Sequence, residues 1–253
     1  MRALTFNLDE NIEMIDEVIR PKESFDIIKR EMEINGERIY MYYVDGFVTS
    51  AIMQKLIMHL TTVKDFGNGQ AGDCEKFART VPSVEVDTAY DVDTVVTAVL
   101  SGCSAILAGG FGDGAIIVDA RSYPARSTDE PENDRVMRGA RDGFVETLIF
   151  NTAMIRRRIR APELTVKYMC VGELSKTDVA VVYLDKKADP VFVKSIIDKI
   201  KAIKTDALPM GHQSLVECLI KKRSINPFPR VRCTERPDCA CASVLEGNVI
   251  ILC

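Results

Sequence analysis

Arginine is concentrated in one stretch of this chain, residues 121–160. The stretch holds nine of the 18 arginines and none of the 15 lysines. Arginine differs from lysine in its planar guanidinium group, whose five donors bind carboxylates and phosphates in fixed geometry. Six acidic residues are interleaved with these arginines: Asp129, Glu130, Glu132, Asp134, Asp142 and Glu146. The pattern predicts either an internal network of ion pairs or a site for an anionic ligand.

Eleven residues are the candidates for this network or ligand site: Arg121, Arg126, Glu130, Arg138, Arg141, Asp142, Glu146, Asn151, Arg156, Glu235 and Arg236. On the interpretation that we favour, Arg138, Arg141 and Arg156 pair with the acidic residues of this set and fix the angle between two subdomains. On the alternative, an amino acid or another anion binds beside the first four arginines of the set. The segment 234–238, TERPD, either joins the same network or caps a helix through Thr234.

Catalytic motifs are missing from the sequence. It contains no GxSxG, no HExxH and no phosphate-binding loop. His59 lies in the apolar stretch KLIMHL, which favours a core or interface position over catalysis. Asp45, Asp119 and Asp185 follow strands, where catalytic carboxylates occur but ordinary turns are commoner. We therefore predict that the chain is not an enzyme, and an enzyme using these aspartates is the least favoured alternative.

The eight cysteines do not form a metal-binding pattern. There is no CxxC pair, the closest pair is Cys239 and Cys241, and neither histidine has ligand-like spacing to them. Most of the cysteines lie in apolar runs, and free cysteine behaves as a small buried hydrophobe. We predict reduced structural thiols, no metal and no cofactor.

Charge and hydropathy argue against nucleic acid as a partner and against a membrane-spanning segment in this sequence. A net charge of −4 and a pI of about 5.4 give no reason to expect nucleic acid. No window of about 18 uninterrupted apolar residues is present, so none of this sequence is predicted to span a membrane. The N-terminus carries acidic residues where a signal peptide needs basic and then apolar ones, which predicts a protein that starts inside the cell.

Hydrophobic periodicity and turn residues predict the elements of the first half. These are short lead-in helices within 1–30, broken at Pro21 and with Ser24 as a cap, a strand over 38–44, a helix over 47–63, a short strand over 84–86, a helix over 92–100 capped by Asp91, and strands over 105–108 and 115–119. Two glycine-rich segments, 65–73 and 109–114, are predicted to be a surface turn and a hairpin connection.

The second half begins with a polar linker over 123–142, broken by Pro124 and Pro131. The elements predicted after it are a helix over 143–159 with Asp142 as its cap, strands over 164–171 and 179–184, helices over 190–203, 213–220 and 236–245, and a strand over 249–252.

The two halves repeat one another. Each contains a strand, an aspartate, a helix, a connector and then a similar segment, TAVLSGCSAIL or ASVLEGNVIIL. When Gly102 is aligned with Gly247, Asp45 and Asp185 precede them by 57 and 62 residues. The pattern predicts an α/β fold of two related α/β subdomains joined by an arginine-rich linker and helix. Its predicted parts are lead-in helices over 1–30, subdomains over 31–120 and 143–253, and a linker over 121–142.

Three long segments carry a resemblance to a known family. They are YPARSTDEPENDRVMRGARDGFVETLIFNTAMIRRRIR, NPFPRVRCTERPD and VLEGNVIIL. They resemble signatures in the N-terminal region of the A subunits of GerA-type spore germination receptors. The lead-in SFDIIKRE and the form RGARDGFVETL are closest to the stage V sporulation protein AF branch. The likeness covers roughly residues 24–253.

The resemblance implies more than the residues do. Members of this family are polytopic inner-membrane proteins of spores, so we expect the native chain to continue into a membrane domain, with the present region on the cytoplasmic, or core, side. Expected partners are other subunits of a spore membrane germination complex and further copies of the chain through the membrane domain. Its expected function is signalling or assembly of a germinant-receptor or ion-release complex. The alternative is a module that binds an amino-acid-like germinant between the subdomains.

Overall fold

The computed structural model describes residues 2–122, 142–220 and 230–253. Its contacts divide the chain into two compact units. Unit 1 comprises Met1–Pro124 with Arg160–Pro162, and unit 2 comprises Ala125–Ile159 with Glu163–Cys253. Each unit combines helices with its own sheet, which confirms the predicted α/β class.

Unit 1 is built on a five-stranded antiparallel sheet in the order β1-β2-β4-β5-β3. Its elements are α1 (Leu8–Ile19), β1 (Ile27–Ile34), β2 (Glu37–Val44), α2 (Ser50–Thr62), α3 (Asp73–Ala78), β3 (Val86–Ala89), α4 (Val92–Leu100), β4 (Ser104–Ala108), a 3-10 turn (Gly109–Phe111) and β5 (Ala115–Val118). Asp91 caps α4 as predicted, since its side chain accepts a hydrogen bond from the Thr94 amide.

A two-residue turn joins β1 to β2. Asn35 and Gly36 have φ of 54° and 83°, and Ile34 pairs directly with Glu37. Positive φ at both central positions matches the right-handed twist of the flanking strands, which is why Asn-Gly is favoured there. The turn therefore fixes the register of the whole hairpin.

Helices cover both faces of this sheet. On one face, α2 and α3 enclose a core that includes Met53, Leu60 and Phe77. On the other face, α1 packs against α4, which also contacts β2 and β4. The Tyr42 hydroxyl of β2 donates to Asp16 of α1 at 2.8 Å, as expected for a strand whose side chains alternate between faces.

The loop before α3 packs backbone against backbone on the β4–β5 connection. The Gly69 amide donates to Gly110 O at 3.1 Å. A Cβ on Gly67 would lie 2.4 Å from Gly110 O, and one on Gly112 would lie 2.8 Å from Gln70 O. Segment 65–73 is therefore a packed loop, and the prediction of a surface turn missed its contact with the hairpin.

Unit 2 contains a three-stranded antiparallel sheet in the order β6-β7-β8. Its described elements are α5 (Leu148–Arg158), β6 (Leu164–Val171), β7 (Thr177–Leu184), α6 (Pro190–Lys201), α7 (His212–Leu219), α8 (Pro237–Leu245) and β8 (Ile250–Leu252). A core that includes Val181, Val193 and Leu215 lies under α6 and α7. Helices α5 and α8 pack against each other and on β7.

The predicted repeat between the halves is confirmed at the level of strand register. Met41 of β2 pairs with Ile106 of β4, and Val181 of β7 pairs with Ile251 of β8. Met41 and Val181 each lie four residues before the aspartate that ends the strand. The alignment at Gly102 and Gly247 had already superposed Ile106 on Ile251, so the two units use the same register.

The helix ends of the repeat also match. Gly102 and Gly247 have φ of 101° and 95°, a left-handed conformation that glycine adopts without strain. The residue after each glycine donates to a helix carbonyl five residues back, Ala98 O and Ser243 O respectively. This hydrogen bond is typical of a Schellman motif, and it turns the chain from α4 or α8 into the next strand.

The repeat extends further than the sequence analysis recognised, because α1 corresponds to α5. Five residues recur 140 positions later: Leu8, Asn11, Met14, Ile15 and Ile19 as Leu148, Asn151, Met154, Ile155 and Ile159. Helix α1 is therefore the first element of unit 1.

Three local predictions are wrong. The second lead-in helix is instead strand β1, since its β-branched residues pair along β2, and Ser24 donates to Asp26 before that strand begins. Helix α5 begins at Leu148, so Asp142 does not cap it. Thr234 does not cap α8, because the N-cap of that helix is Arg236. The Arg236 amide donates to Thr234 Oγ1 before the helix begins.

No helix within the described ranges is both long enough and apolar enough to cross a bilayer.

Candidate functional site

The candidate residues are spread over the two units. Four of them, Arg126, Glu130, Arg138 and Arg141, lie outside the described residues. Arg121 belongs to unit 1, and the other six belong to unit 2: Asp142, Glu146, Asn151, Arg156, Glu235 and Arg236. The described part of the site is therefore a feature of unit 2, where α5 packs against α8.

Asn151 organises the start of this region. Its side-chain amide group accepts from the Val145 amide at 2.8 Å and donates to Val145 O at 2.6 Å. Asn11 of α1 holds Thr5 in the same way, with both bonds at 2.7 Å. In each case the side-chain amide bonds both the N–H and the carbonyl of one residue, as a neighbouring strand would. Both asparagines are buried, and these bonds fix the segment that precedes each helix.

The segment before α5 also binds the segment before α8. The Phe144 amide donates to Glu235 O at 2.8 Å. The Leu4 amide donates to Tyr90 O at 2.9 Å in the corresponding place of unit 1. Glu235 therefore contributes its carbonyl group to the site and links TERPD to the chain before α5.

Arg158, in the last turn of α5, forms an ion pair with Asp142 at 2.5 Å. Both side chains are partly buried, with 25% and 36% of their surfaces exposed. The sequence analysis had placed Asp142 with other arginines of the stretch and did not select Arg158. A basic residue in a last helical turn, where it faces free carbonyl groups, was the available signal.

Arg236 forms the second ion pair of the region. Its Nε donates to Asp238 Oδ1 at 3.0 Å and its terminal nitrogen to Oδ2 at 2.5 Å, which is a bidentate arrangement. The hydrogen bond from Arg236 lowers the pKa of Asp238 to about 2, and that from the Cys239 amide acts in the same direction. Asp238 was not among the eleven candidates, although it ends the segment TERPD, which was considered for the same network.

Charges of these two ion pairs act on Cys241 of α8, which is buried. Burial raises the pKa of its thiol to about 11, the charge of Arg158 opposes that change, and the charges of Asp238 and Asp142 add to it. We call Asp142, Arg158, Arg236 and Asp238 the α5–α8 charge cluster. A thiol with a raised pKa is a poor nucleophile, so Cys241 has a structural environment.

Arg156 is fully buried in α5 and donates to Leu164 O of β6 at 2.9 Å. It occupies the place that Asp16 has in α1, since both lie five residues after the asparagine that the two halves share. Asp16 binds Lys29 at 2.5 Å in unit 1. The same helical position therefore carries opposite charges in the two units.

Arg121 and Glu146 are the two remaining described candidates. Arg121 binds Asp119 through Nε at 2.8 Å and is part of unit 1. Glu146 is exposed, one residue before the N-cap of α5. The contacts given for the described candidates are local ones, and the single network of eleven residues stays a prediction.

The strand-end aspartates are all engaged locally. Asp45 accepts from the Gly46 amide at 2.9 Å, Asp119 binds Arg121, and Asp185 accepts from Thr165 Oγ1 at 2.7 Å. The ring of His59 meets the edge of Phe77 with 6.5 Å between centroids. These contacts are those of turns and a core, in line with the structural interpretation of each residue.

All eight cysteines are free in the structure. Only Cys74 and Cys241 are buried, whereas Cys170, Cys218, Cys233 and Cys253 are exposed. Apolar neighbours in the sequence therefore do not place most of these cysteines in the core. Within residues 2–122, 142–220 and 230–253, no group of three or more potential ligand side chains could hold a metal ion.

An open groove of about 400 Å³ runs beside α6 in unit 2. Its lining residues are Tyr183, Asp185, Ala188, Pro190, Val193, Lys194, Ile197, Asp198 and Lys201. Its lining combines apolar side chains with those of lysine and aspartate. It does not adjoin a nucleophile paired with a base.

The family of the chain follows from sequence comparison. The family of Bacillus/Clostridium GerA spore germination proteins matches residues 13–253. The chain belongs to this family, which confirms the resemblance drawn from its three signature segments.

Individual relatives sharpen this assignment. Stage V sporulation protein AF of Bacillus subtilis is 40% identical over 233 residues, which cover 90% of this chain and 46% of that protein. The uncharacterized membrane protein YfkQ of the same organism is 31% identical over 99% of this chain and 48% of its own length. The chain thus spans about half the length of the curated relatives that it matches.

A solved structure has the same fold. The N-terminal domain of the A subunit of the Bacillus megaterium spore germinant receptor GerK3 superposes with a TM-score of 0.68 and 25% identity. The match covers 99% of this chain and 92% of that domain. The chain therefore has the fold of a germinant-receptor A-subunit N-terminal domain.

Proposed function

We propose that this chain is the N-terminal, water-exposed region of a spore membrane germination protein and that it acts in signalling or assembly of a germinant-receptor or ion-release complex. The family match and the relatives named above support the setting. In this proposal the full-length protein lies in the spore inner membrane with the present region on the cytoplasmic side. Its partners are other subunits of the complex and, through the membrane domain, further copies of itself.

One observation carries this proposal over a ligand-binding role. Three arginines of the α5–α8 region have a described partner in their own unit: Asp142 for Arg158, Asp238 for Arg236, and the Leu164 carbonyl for Arg156. A guanidinium group that already holds a carboxylate in bidentate geometry is not preorganised for a soluble anion. We therefore assign the region to holding α5, α8 and the segments before them in a fixed arrangement that partner subunits recognise.

Charge exchange in the full-length protein tests the proposal. Arg158→Asp should lower both the amount of partner subunit that co-purifies from spore membranes and the germination response. Combining it with Asp142→Arg should restore both, because the ion pair is re-formed with reversed polarity. The matched control is the exposed pair Arg38 and Asp9 of unit 1, where Arg38→Asp should change neither readout. Normal co-purification by a folded Arg158→Asp protein would contradict an assembly role.

A second candidate is binding of an amino-acid-like germinant near Arg121 and the arginines at 126, 138 and 141. The name of the GerK3 relative, a germinant receptor, favours keeping it. A ligand at 100 times its dissociation constant stabilises the folded chain by about 2.7 kcal/mol. Thermal unfolding with and without amino acids, on the native chain and on Arg121→Ala, measures this. A shift that the variant abolishes would support binding, and no shift with any amino acid would exclude it.

A further inference from the structure

Helix α6 presents an unusual outward face. Val191 and Phe192, in its first turn, are 76% and 54% exposed, although both are apolar. The buried face of the same helix is provided by Val193 and Ile200, which belong to the core of unit 2. The exposed pair is therefore additional to the apolar stripe that packs on the sheet. Apolar surface of this kind, rimmed by polar residues, marks an interaction site.

Lysines flank the exposed apolar residues. Lys194, Lys199 and Lys201 are all exposed, and Asp198 is the only acidic residue of the helix. Val191, Ser195, Asp198 and Ala202 follow helical spacing along the outer ridge, with the lysines on either side. A shallow trough of about 460 Å³ lies over this ridge and is lined by Val191, Lys194, Ser195, Asp198, Lys199 and Ala202. We call Val191, Phe192, Lys194, Lys199 and Lys201 together the α6 basic face.

The corresponding helix of unit 1 lacks this charge. Helix α2 follows β2 as α6 follows β7, and Met53 and Leu60 are buried where Val193 and Ile200 are buried. Ile52 stands in the place of Phe192 and is 39% exposed. The only lysine of α2 is Lys55, so the basic face is a property of unit 2 and not of the repeated fold.

The whole chain shows the same division of charge. Residues 1–124 contain 20 acidic and 11 basic residues, whereas residues 125–253 contain 17 acidic and 22 basic residues. The net charge of −4 is therefore the sum of −9 for residues 1–124 and +5 for residues 125–253. Charge asymmetry of this size between two halves points to a charged surface as partner.

We propose that the α6 basic face is a docking surface for an anionic lipid bilayer. Val191 and Phe192 enter the headgroup region, where apolar side chains of interfacial helices lie. Lys194, Lys199 and Lys201 extend their apolar stems beside them and bring their ammonium groups to the lipid phosphates. The inference rests on the proposed function, since it takes the full-length protein to be held at a membrane, and it assigns unit 2 to the surface of that membrane.

Vesicle sedimentation with the 1–253 chain tests this. We expect binding to vesicles of phosphatidylglycerol and phosphatidylcholine in equal parts, much weaker binding to phosphatidylcholine alone, and loss of binding as salt is raised. Each lysine near an anionic surface strengthens binding about fivefold, so Lys194→Ala with Lys199→Ala should weaken it about 25-fold. Phe192→Ser should weaken it as well, without changing the salt dependence. All three positions are exposed, so circular dichroism should show unchanged folding.

Matched controls come from unit 1. Ile52→Ser, and Lys55→Ala combined with Lys64→Ala, remove the same kinds of exposed side chain from α2 and the loop after it, and should leave binding unchanged. The proposal is overturned if no vesicle binds, or if the α6 and α2 variants behave alike. It is also overturned if the α6 lysines instead mediate self-association without lipid, because the acidic half of a second copy would then be the partner. Co-purification of partner subunits is independent of these outcomes and tests the proposed function alone.

Discussion

Asn11 and Asn151 show how single side chains fix the segment that leads into the first helix of each unit. Each asparagine makes two hydrogen bonds to the backbone of a residue six positions earlier and is buried. Asn151 was selected from the sequence as a member of an arginine network, and its actual partner is a backbone segment. Hydrogen bonds to the backbone leave almost no signature in residue type, because any residue except proline could make them at position 145.

Replacing either asparagine by alanine should destabilise the protein by about 2–4 kcal/mol, since the amide and carbonyl groups of Thr5 or Val145 would lose their partner in a buried place. Asn→Asp should also destabilise, because a carboxylate cannot donate to the carbonyl group. Urea denaturation measures both. Asn68→Ala, at an exposed position, should stay within about 0.5 kcal/mol. Equal stability of the Asn151→Ala and Asn68→Ala proteins would refute this role.

The pair of Arg236 and Asp238 should make unit 2 sensitive to acid. The pKa of Asp238 is lowered to about 2, below the value of about 4 expected in an unfolded chain. The stabilisation is therefore complete above pH 4 and is lost as the pH falls through about 2. Asp238→Asn should reduce the slope of unfolding free energy against pH between these limits. An unchanged slope would mean that other carboxylates account for the acid sensitivity.

At the scale of elements, the sequence predicted most helices and strands, because their hydrophobic periodicity is local. It failed where tertiary contacts decide. Segment 27–34 reads as a charged helix, yet it becomes β1 because Asn35-Gly36 folds it onto β2. The Gly67 loop reads as a solvated turn, although its packing against Gly110 requires the absence of a side chain.

Gly67→Ala and Gly72→Ala form a matched pair in that loop. Both residues have positive φ, of 100° and 86°, so both variants strain the backbone. Only at Gly67 would the new Cβ meet another atom closely, at 2.4 Å from Gly110 O, whereas Gly72 has open space. We expect Gly67→Ala to cost about 2 kcal/mol more than Gly72→Ala in thermal or urea unfolding. Similar costs for the two would show that the loop moves away freely.

At the scale of the whole molecule, the chain contains an internal structural repeat, with one copy in each unit. The repeat was recognisable from Asp45, Asp185 and the two glycine-stopped helices, because these positions need particular backbone geometry. The first helix of each repeat escaped notice, since α1 is acidic and α5 is basic, and only a few identical residues connect them. The predicted limits of the subdomains, 31–120 and 143–253, stay a prediction, as does the network of residues 126, 130, 138 and 141.

Separate cores predict separate local stability. Asn151→Ala should speed amide hydrogen exchange in β6 and β7, while exchange in β2 and β4 stays as in the native protein. Asn11→Ala should do the reverse, because each asparagine supports only the unit in which it lies. Hydrogen exchange followed by mass spectrometry resolves these strands. Uniform acceleration over both sheets would show that the units unfold as one.

The Asn35-Gly36 turn has a consequence for the order of folding. It closes the β1–β2 hairpin over two residues, so these strands can pair within microseconds. The next partner of β2 is β4, more than 60 residues further along the chain, and its pairing must wait for a much larger loop to close. In unit 2, five residues separate β6 from β7. Unit 1 should therefore form its first hairpin sooner than unit 2, and the growing chain meets that hairpin first during synthesis.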